Sequence, residues 1–354
     1  MAPGCHPGPL RFFLIGRTVT QGQAPTQAEV DPYTFDKTCP GLVYCRRMGA
    51  LFILINPHAA GGRAAKLEPA IRAWAAGRTE PAVVQVAPRI PDALDWLRGL
   101  PNGSSVALVG GDGTLNQMLP ALLDNDLCLT LVPQGSGNDV ARALGVAGLH
   151  WREALERSER ASAHPMDVGW LRTGTLERPF LSSLTVGFDS AVGYKALHGP
   201  RWLRGLPRYL LATFRELSAL QTWDMQITLD GQALQQGTTL FASTLNTPTY
   251  GSGMPAVPHA RTDDGLLDVL VAGRFNVAQT LVMLPRLLMA RHLSHPRVTT
   301  RPFQSMTIAS PQALPLATDG EYVGEATSLA VQVAPGALRV KHLEAHGRHT
   351  AKAQ

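Results

Sequence analysis

Val106-Ala-Leu-Val-Gly-Gly-Asp-Gly-Thr-Leu-Asn-Gln117 decides how this chain is read. The apolar run from Val106 to Val109 has the length and β-branching of a buried strand, and Gly110, Gly111, Asp112 and Gly113 form a turn. Beyond Thr114, the residues Leu115, Met118, Leu119 and Leu122 fall on one face of a helix. Strand, glycine turn and helix together aim backbone N–H groups and the positive end of a helix dipole at one spot, an anion site suited to phosphate. Glycine is expected there because a Cβ would block phosphate oxygens and because many turns need positive φ. Asp112 cannot meet phosphate directly, since two anions repel. A carboxylate among phosphate-binding amides reads as a ligand to Mg²⁺, directly or through water. The plainer alternative is an ordinary βα turn with an Asp N-cap.

Two further stretches weigh against that alternative. Ile53-Leu-Ile-Asn-Pro-His-Ala-Ala-Gly-Gly62 is another strand running into a glycine-ended loop, and Leu129-Thr-Leu-Val-Pro-Gln-Gly-Ser-Gly-Asn-Asp-Val-Ala-Arg142 is a strand, turn and helix start. Between them the pattern alternates. Strands are expected at Leu51–Asn56, Ala82–Ala87, Val106–Val109 and Leu129–Pro133. Helices are expected at Ala64–Ala76, with Leu67, Ile71 and Trp74 inward, at Asp92–Leu100 and after Thr114. Short apolar strands alternating with helices mean a parallel sheet covered on both faces, whose ligands sit beyond the carboxyl ends of the strands. All three motifs fall at such ends, at Asn56, Gly110 and Gln134. After a helix at Trp151–Glu159 the texture turns antiparallel. Candidate strands lie at Met225–Leu229, Thr238–Leu245, Leu266–Val271, Met306–Ala309 and Leu329–Val333, with hairpin signals at Asp230-Gly231 and Asp319-Gly320 and inserts at 191–221 and 275–295.

Composition bounds the rest. With 354 residues the chain can hold two domains, and 45% apolar with 17% charged residues fits a globular protein. A net charge of +5 suits an anionic partner such as nucleotide phosphate or an acidic membrane face, and no aromatic-and-basic motif argues for nucleic acid. No apolar run approaches the roughly 18 residues of a membrane helix. Cys5, Cys39, Cys45 and Cys128 are too few and scattered for a disulfide framework or a defensible zinc site, which points to a reducing cytoplasm. Residues 1–48 lack periodicity and read as a flexible extension or a mis-assigned start, with Met48 a natural first residue. The expected organisation is thus 1–48, an α/β domain over 49–165 and a second domain over 166–335.

Asn56-Pro57 with Gly61, Gly110-Gly-Asp-Gly-Thr-Leu-Asn116 and Pro133-x-Gly-Ser-Gly-Asn-Asp-Val-Ala-Arg142 resemble the diacylglycerol kinase catalytic domain. The likeness continues in order through Gly251-Ser-Gly-Met254, Pro258, Asp263-Asp-Gly-Leu-Leu-Asp268 and Asp319-Gly-Glu321, so it spans about Ala50 to His342. That superfamily includes bacterial diacylglycerol kinases and sphingosine and ceramide kinases. The resemblance implies a nucleotide-binding α/β domain with a parallel sheet of the NAD kinase/diacylglycerol kinase type, to which residues 336–345 return, and an antiparallel β-sandwich that binds lipid. It also implies a kinase using ATP and Mg²⁺ on a lipid hydroxyl, working from the cytoplasm at the membrane face, with a homodimer left open.

Residue by residue, the resemblance places nucleotide contacts on Asn56, Pro57, Gly61, Gly110, Gly111, Asp112, Gly113, Thr114, Asn116, Gly135, Ser136 and Asn138. Asn138 or Asp139 could equally cap the helix that follows. Asp167 is implied in a water–Mg²⁺ network with Asp112, and a structural Mg²⁺ is implied at Asp264 with the carbonyls of Arg261 and Leu266. Asp319 and Glu321, on alternating residues and so expected on one face of an extended segment, carry the catalysis together with Asp112. Glu321 takes the proton of the lipid hydroxyl, and Asp319 supports it or binds metal. Three departures lose a polar contact or a charge: Gln117 where the family keeps Glu, Ala87 where Thr is common, and a phosphate loop without a hydroxyl before Gly61. Segments 201–214 and Leu281–Leu293 either lie on an anionic membrane or pack over the sandwich. Against the lipid kinase stand an NAD kinase, which shares Gly-Gly-Asp-Gly-Thr, and a nucleotide-binding regulator with weak catalysis.

Overall fold

A computed structural model describes residues 50–341, apart from Ser136, Thr175, Arg201 and Arg204. The expectations for residues 1–48, for Ser136 and for the chain beyond Lys341 lie outside these residues.

The first half runs β1 (Leu51–Ile55), α1 (Glu68–Ala76), β2 (Ala82–Val86), α2 (Ile90–Arg98), β3 (Ser105–Gly110), α3 (Asp112–Asp124), β4 (Cys128–Pro133), α4 (Asp139–Ala143) and α5 (Trp151–Arg160). The strands lie in the order β2-β1-β3-β4 and all pair in parallel. Every residue of β1 and β4 is buried, the mark of strands covered on both faces. Leu115, Met118, Leu119 and Leu122 hold α3 to this sheet and are buried, as their spacing requires. Ile71 of α1 is wholly buried, while Leu67 and Trp74 pack against the core from partly exposed positions.

The second half comprises β5 (Ala163–Arg172), β6 (Glu177–Phe180), β7 (Ser183–Val186), α6 (Phe188–Leu197), α7 (Leu206–Leu217), β8 (Trp223–Leu229), β9 (Gln232–Leu245), β10 (Leu267–Gly273), α8 (Val277–Leu288), β11 (Val298–Phe303), β12 (Ser305–Thr318) and β13 (Glu321–Lys341). Its strands pair antiparallel, around a core that includes Phe180, Met225, Ile227, Phe303 and Ile308. The inserts at 191–221 and 275–295 are the helical segments, with α6 and α7 in the first and α8 in the second. Both hairpin signals form two-residue turns with positive φ at each centre, 47° and 80° at Asp230-Gly231 and 49° and 84° at Asp319-Gly320. The architecture is therefore a parallel α/β sheet joined to an antiparallel β-sandwich. Among the described residues, no helix is long and apolar enough to cross a membrane.

One strand joins the two halves. β13 leaves the Asp319-Gly320 turn paired with β12, then pairs with β5, loses register between Ala334 and Leu338, and ends beside β4. There Arg339 and Val340 lie parallel to Cys128 and Leu129.

Candidate active site

Three strand ends converge. Asn56 follows β1, its amide donating to Val109 O of β3, and its side-chain Nδ2 donates to Thr114 Oγ1 at 2.9 Å. Gln134 after β4 donates its amide to Gly110 O at 2.7 Å. The glycines serve a purpose the sequence reading did not give them. None of Gly110, Gly111, Gly113, Gly135 or Gly137 has positive φ. A Cβ on Gly111 would stand 2.8 Å from the Gly135 Cα, one on Gly113 2.7 Å from Glu321 Oε1, and one on Gly137 2.7 Å from Asp112 Oδ2. The missing side chains let the two glycine loops touch backbone to backbone and let two carboxylates settle over them.

Carboxylates crowd this spot, and their hydrogen bonds sort them. Asp139, at the start of α4, accepts from Thr249 Oγ1 (2.7 Å), from the amides of Ser252 (3.0 Å) and Gly253 (2.9 Å), and from Arg142 (2.9 Å). It clamps the Gly251–Met254 loop to the third motif and is neither a helix cap nor an open ligand. Asp319 accepts the amides of Leu181, Ser182 (2.6 Å) and Ser183, and Asn116 Nδ2 at 2.8 Å. Asp112 is different. Its Oδ2 takes the Asp139 amide at 3.2 Å, the Asn138 amide adds a weaker interaction with the carboxyl, and its Oδ1 is buried with no hydrogen-bond partner among the described residues. Burial, then the charges of Asp139 and Asp319, push its carboxyl up to about 7. Glu321 hangs over Gly113 in the same cleft. Two of the four carboxylates are thus saturated by protein donors, and Asp112 and Glu321 are left facing the cleft.

Several expected placements change. Asp319 and Glu321 do not share one face of an extended segment. Asp319 occupies the left-handed corner of the hairpin turn and folds inward onto the Leu181–Ser183 amides, while Glu321 starts β13. Asp167 is not among the carboxylates that raise Asp112. It is buried, with Oδ1 accepting the Gly336 amide and Oδ2 the Gly265 amide, each at 2.7 Å. It therefore pins the Asp264-Gly265 turn and the register break of β13. In that turn Asp264 Oδ1 accepts the Leu266 amide at 3.1 Å, and the Arg261 side chain pairs with Asp263. Asn116 is buried between Asp319 and Arg178, whose Nη2 donates to it at 2.5 Å. Asn138 closes on Gly135, accepting its amide and donating to its carbonyl. Each of these amide side chains is thus engaged within the protein through its Oδ1 and one Nδ2 hydrogen. Gly61 and Pro57 stay at the surface of the β1 loop.

Three hollows surround these groups. A recess of about 160 Å³ is lined by Leu54, Asn56, Ala87, Ile90, Thr114 and Gln117, so both departures Ala87 and Gln117 face it. A cleft of about 210 Å³ holds Asp112, Asp139, Asp319 and Glu321. Behind the cleft, an apolar chamber runs between α7, α8 and the sandwich, with Leu240, Phe275, Met283 and Leu287 in its walls. Asp189, Tyr209 and Tyr250 line both the cleft and the chamber. Sequence reasoning missed all three, and Arg178 with them. Asp189 Oδ2 accepts from Tyr250 Oη (2.8 Å) and Ser243 Oγ (3.0 Å), and burial raises its carboxyl to about 6 against those bonds.

With this geometry in hand, the likenesses to known proteins have a place. Residues 50–171 match the diacylglycerol kinase catalytic domain, and residues 182–342 match the YegS C-terminal NAD kinase beta sandwich-like domain. The two matches take in most of the described residues, the catalytic domain first and the sandwich domain after it. It is 28% identical over 237 residues to a diacylglycerol kinase of Mycobacterium tuberculosis, covering 67% of this chain and 76% of that one. It is 26% identical over 221 residues to a diacylglycerol kinase of Bacillus subtilis, covering 62% and 71%. A crystal structure of a diacylglycerol kinase from Bacillus anthracis shares the fold, with a TM-score of 0.63 at 19% identity over 84% of this chain and 97% of that one.

Proposed function

We propose that this protein is a Mg²⁺-dependent lipid kinase that moves the ATP γ-phosphate to the hydroxyl of diacylglycerol or a related lipid. One observation carries the reading: a cleft of carboxylates and helix-end amides shares a wall, formed by Asp189, Tyr209 and Tyr250, with an apolar chamber. A soluble acceptor needs no such chamber. The nucleotide base lies in the recess beside Ala87 and Gln117, and its phosphates cross the Gly110–Gly113 turn, where the α3 amides and dipole favour negative charge. Asp112 fits a hard cation. Its bare, buried Oδ1 lacks a counter-charge, and one carboxylate beside phosphate oxygens and water is how Mg²⁺ is commonly held. Bound there, the ion would neutralise charge building on the transferring phosphoryl group.

Glu321 accepts the proton of the attacking hydroxyl, the part for which a carboxylate over the phosphate turn is suited. Asp319 positions it, since its grip on three amides sets the turn from which Glu321 projects. The lipid's chains occupy the chamber. The test is turnover of labelled ATP and Mg²⁺ with diacylglycerol, a sphingoid base, ceramide, phosphatidylglycerol and NAD. Label in a lipid and not in NAD is the expected result; label in NAD alone would make this an NAD kinase, and none at all a nucleotide-binding regulator.

A further inference from the structure

α8 is inside out. Its inner side is ordinary, with Met283, Leu284 and Leu287 lining the apolar chamber. A helix so placed normally turns polar residues to water. Here Ala278, Leu281, Val282, Pro285 and Met289 form the outward stripe, all exposed, Val282 by 64% and Met289 by 57%. The helix is no frayed end, because Asn276 and Gln279 close a full capping box at its start. Its surroundings carry charge of one sign. From Arg274 to Arg301 the chain has Arg274, Arg286, Arg291, Arg297 and Arg301 and no acidic residue.

We propose that the outer face of α8 docks on a bilayer bearing anionic headgroups, its apolar stripe sinking among the acyl chains and the arginines meeting lipid phosphates. An apolar stripe edged with arginine is what an interfacial helix needs. A second copy of this chain is the poorer occupant, since a twofold contact would set arginine against arginine. The purpose of docking rests on the lipid-kinase reading: the helix that touches the membrane also roofs the chamber, so a lipid would have only α8 to pass. Trp202, 80% exposed just ahead of α7, offers the amphipathic ring favoured at such interfaces.

The test is co-sedimentation of the full chain with vesicles of phosphatidylcholine alone or mixed with phosphatidylglycerol, across a salt series. The parent should bind the mixed vesicles and release them as salt rises. Val282→Asp with Met289→Asp should weaken binding by at least about tenfold, and Val282→Trp should strengthen it. Arg286→Gln with Arg291→Gln should abolish the preference for phosphatidylglycerol. Melting temperatures, and turnover of short-chain diacylglycerol in detergent micelles, should stay with the parent. Failure of the parent to bind any vesicle, or Asp variants that bind as the parent does, overturns the proposal. So does a concentration-dependent dimer that Val282→Asp dissolves. Vesicle binding that depends on α8, without phosphorylation of any lipid, would keep the docking surface and remove the kinase reading.

Discussion

Gly113→Ala isolates what one missing methyl group does in the cleft. The new Cβ would lie 2.7 Å from Glu321 Oε1, where ordinary contact begins near 3.4 Å, so the carboxylate has to retreat by about 0.7 Å. The obstacle is the end of a side chain, and the fold itself need not yield. Gly113 sits in the first turn of α3, where alanine is the better helix former by about 1 kcal/mol. Thermal stability should therefore hold or rise by a few degrees. Turnover should fall, because misplacing a reacting group by about 1 Å can cost on the order of a hundredfold. We expect kcat with diacylglycerol to drop about ten- to a hundredfold.

The assay is a double-mutant cycle with Glu321→Gln. If Gly113→Ala acts by moving Glu321, it adds little once Glu321 can no longer accept a proton. If the methyl instead obstructs nucleotide phosphates, the KM for ATP rises equally in both backgrounds and the losses multiply. Multiplying losses, or a single variant within about threefold of the parent, would refute the reasoning.

Glu321→Gln alone should lower kcat by about 10²- to 10⁴-fold with ATP affinity little changed, and raising Mg²⁺ should not restore it. Asp112→Asn should abolish turnover, and its effect on stability should depend on pH. Because the folded-state carboxyl is raised to about 7, its charged form burdens the fold. That cost is absent near pH 4, grows as pH climbs to about 7 and is complete above, so the variant should melt higher than the parent at pH 8 and with it at pH 4. Asp189→Asn should show the same sign with the rise complete by about pH 6, read by calorimetry at both ends. Asp167→Ala leaves the part-buried amides of Gly265 and Gly336 without their acceptor, at up to roughly 1–3 kcal/mol each; melting temperature should fall while the Mg²⁺ dependence of kcat in the surviving enzyme stays unchanged.

The alternation of apolar strands and helices was legible in the sequence because burial on both faces leaves no polar position to confuse the pattern, and the hairpins were legible because Asp-Gly supplies positive φ. The site was legible as a set of residue types. What each carboxylate does was not. Asp139 is answered by Thr249, Ser252 and Gly253, Asp319 by Leu181 to Ser183, and Asp167 by Gly265 and Gly336, all from distant segments that no local spacing brings together. Asp189 stood in no motif, since a buried acid matters through its surroundings and these are assembled by the sandwich. The run Leu281–Leu293 was recognised as apolar, but sequence cannot say which side of a helix faces water.

β13 also bears on how the protein comes into being. Its first residue is Glu321, and near its far end Arg339 and Val340 fill the open edge of β4. A ribosome delivers β4 long before its neighbour exists. Until then the α/β half carries an exposed strand edge, a place where chains pair wrongly. The same late arrival brings the Asp319 turn and Glu321, so the α/β half cannot complete its sheet before the sandwich strand that bears the proposed proton acceptor has been made. If Glu321 acts as proposed, assembly and activation are one event, and a chain stopped just short of Leu338 would have its chemistry written but no edge to hold it in place.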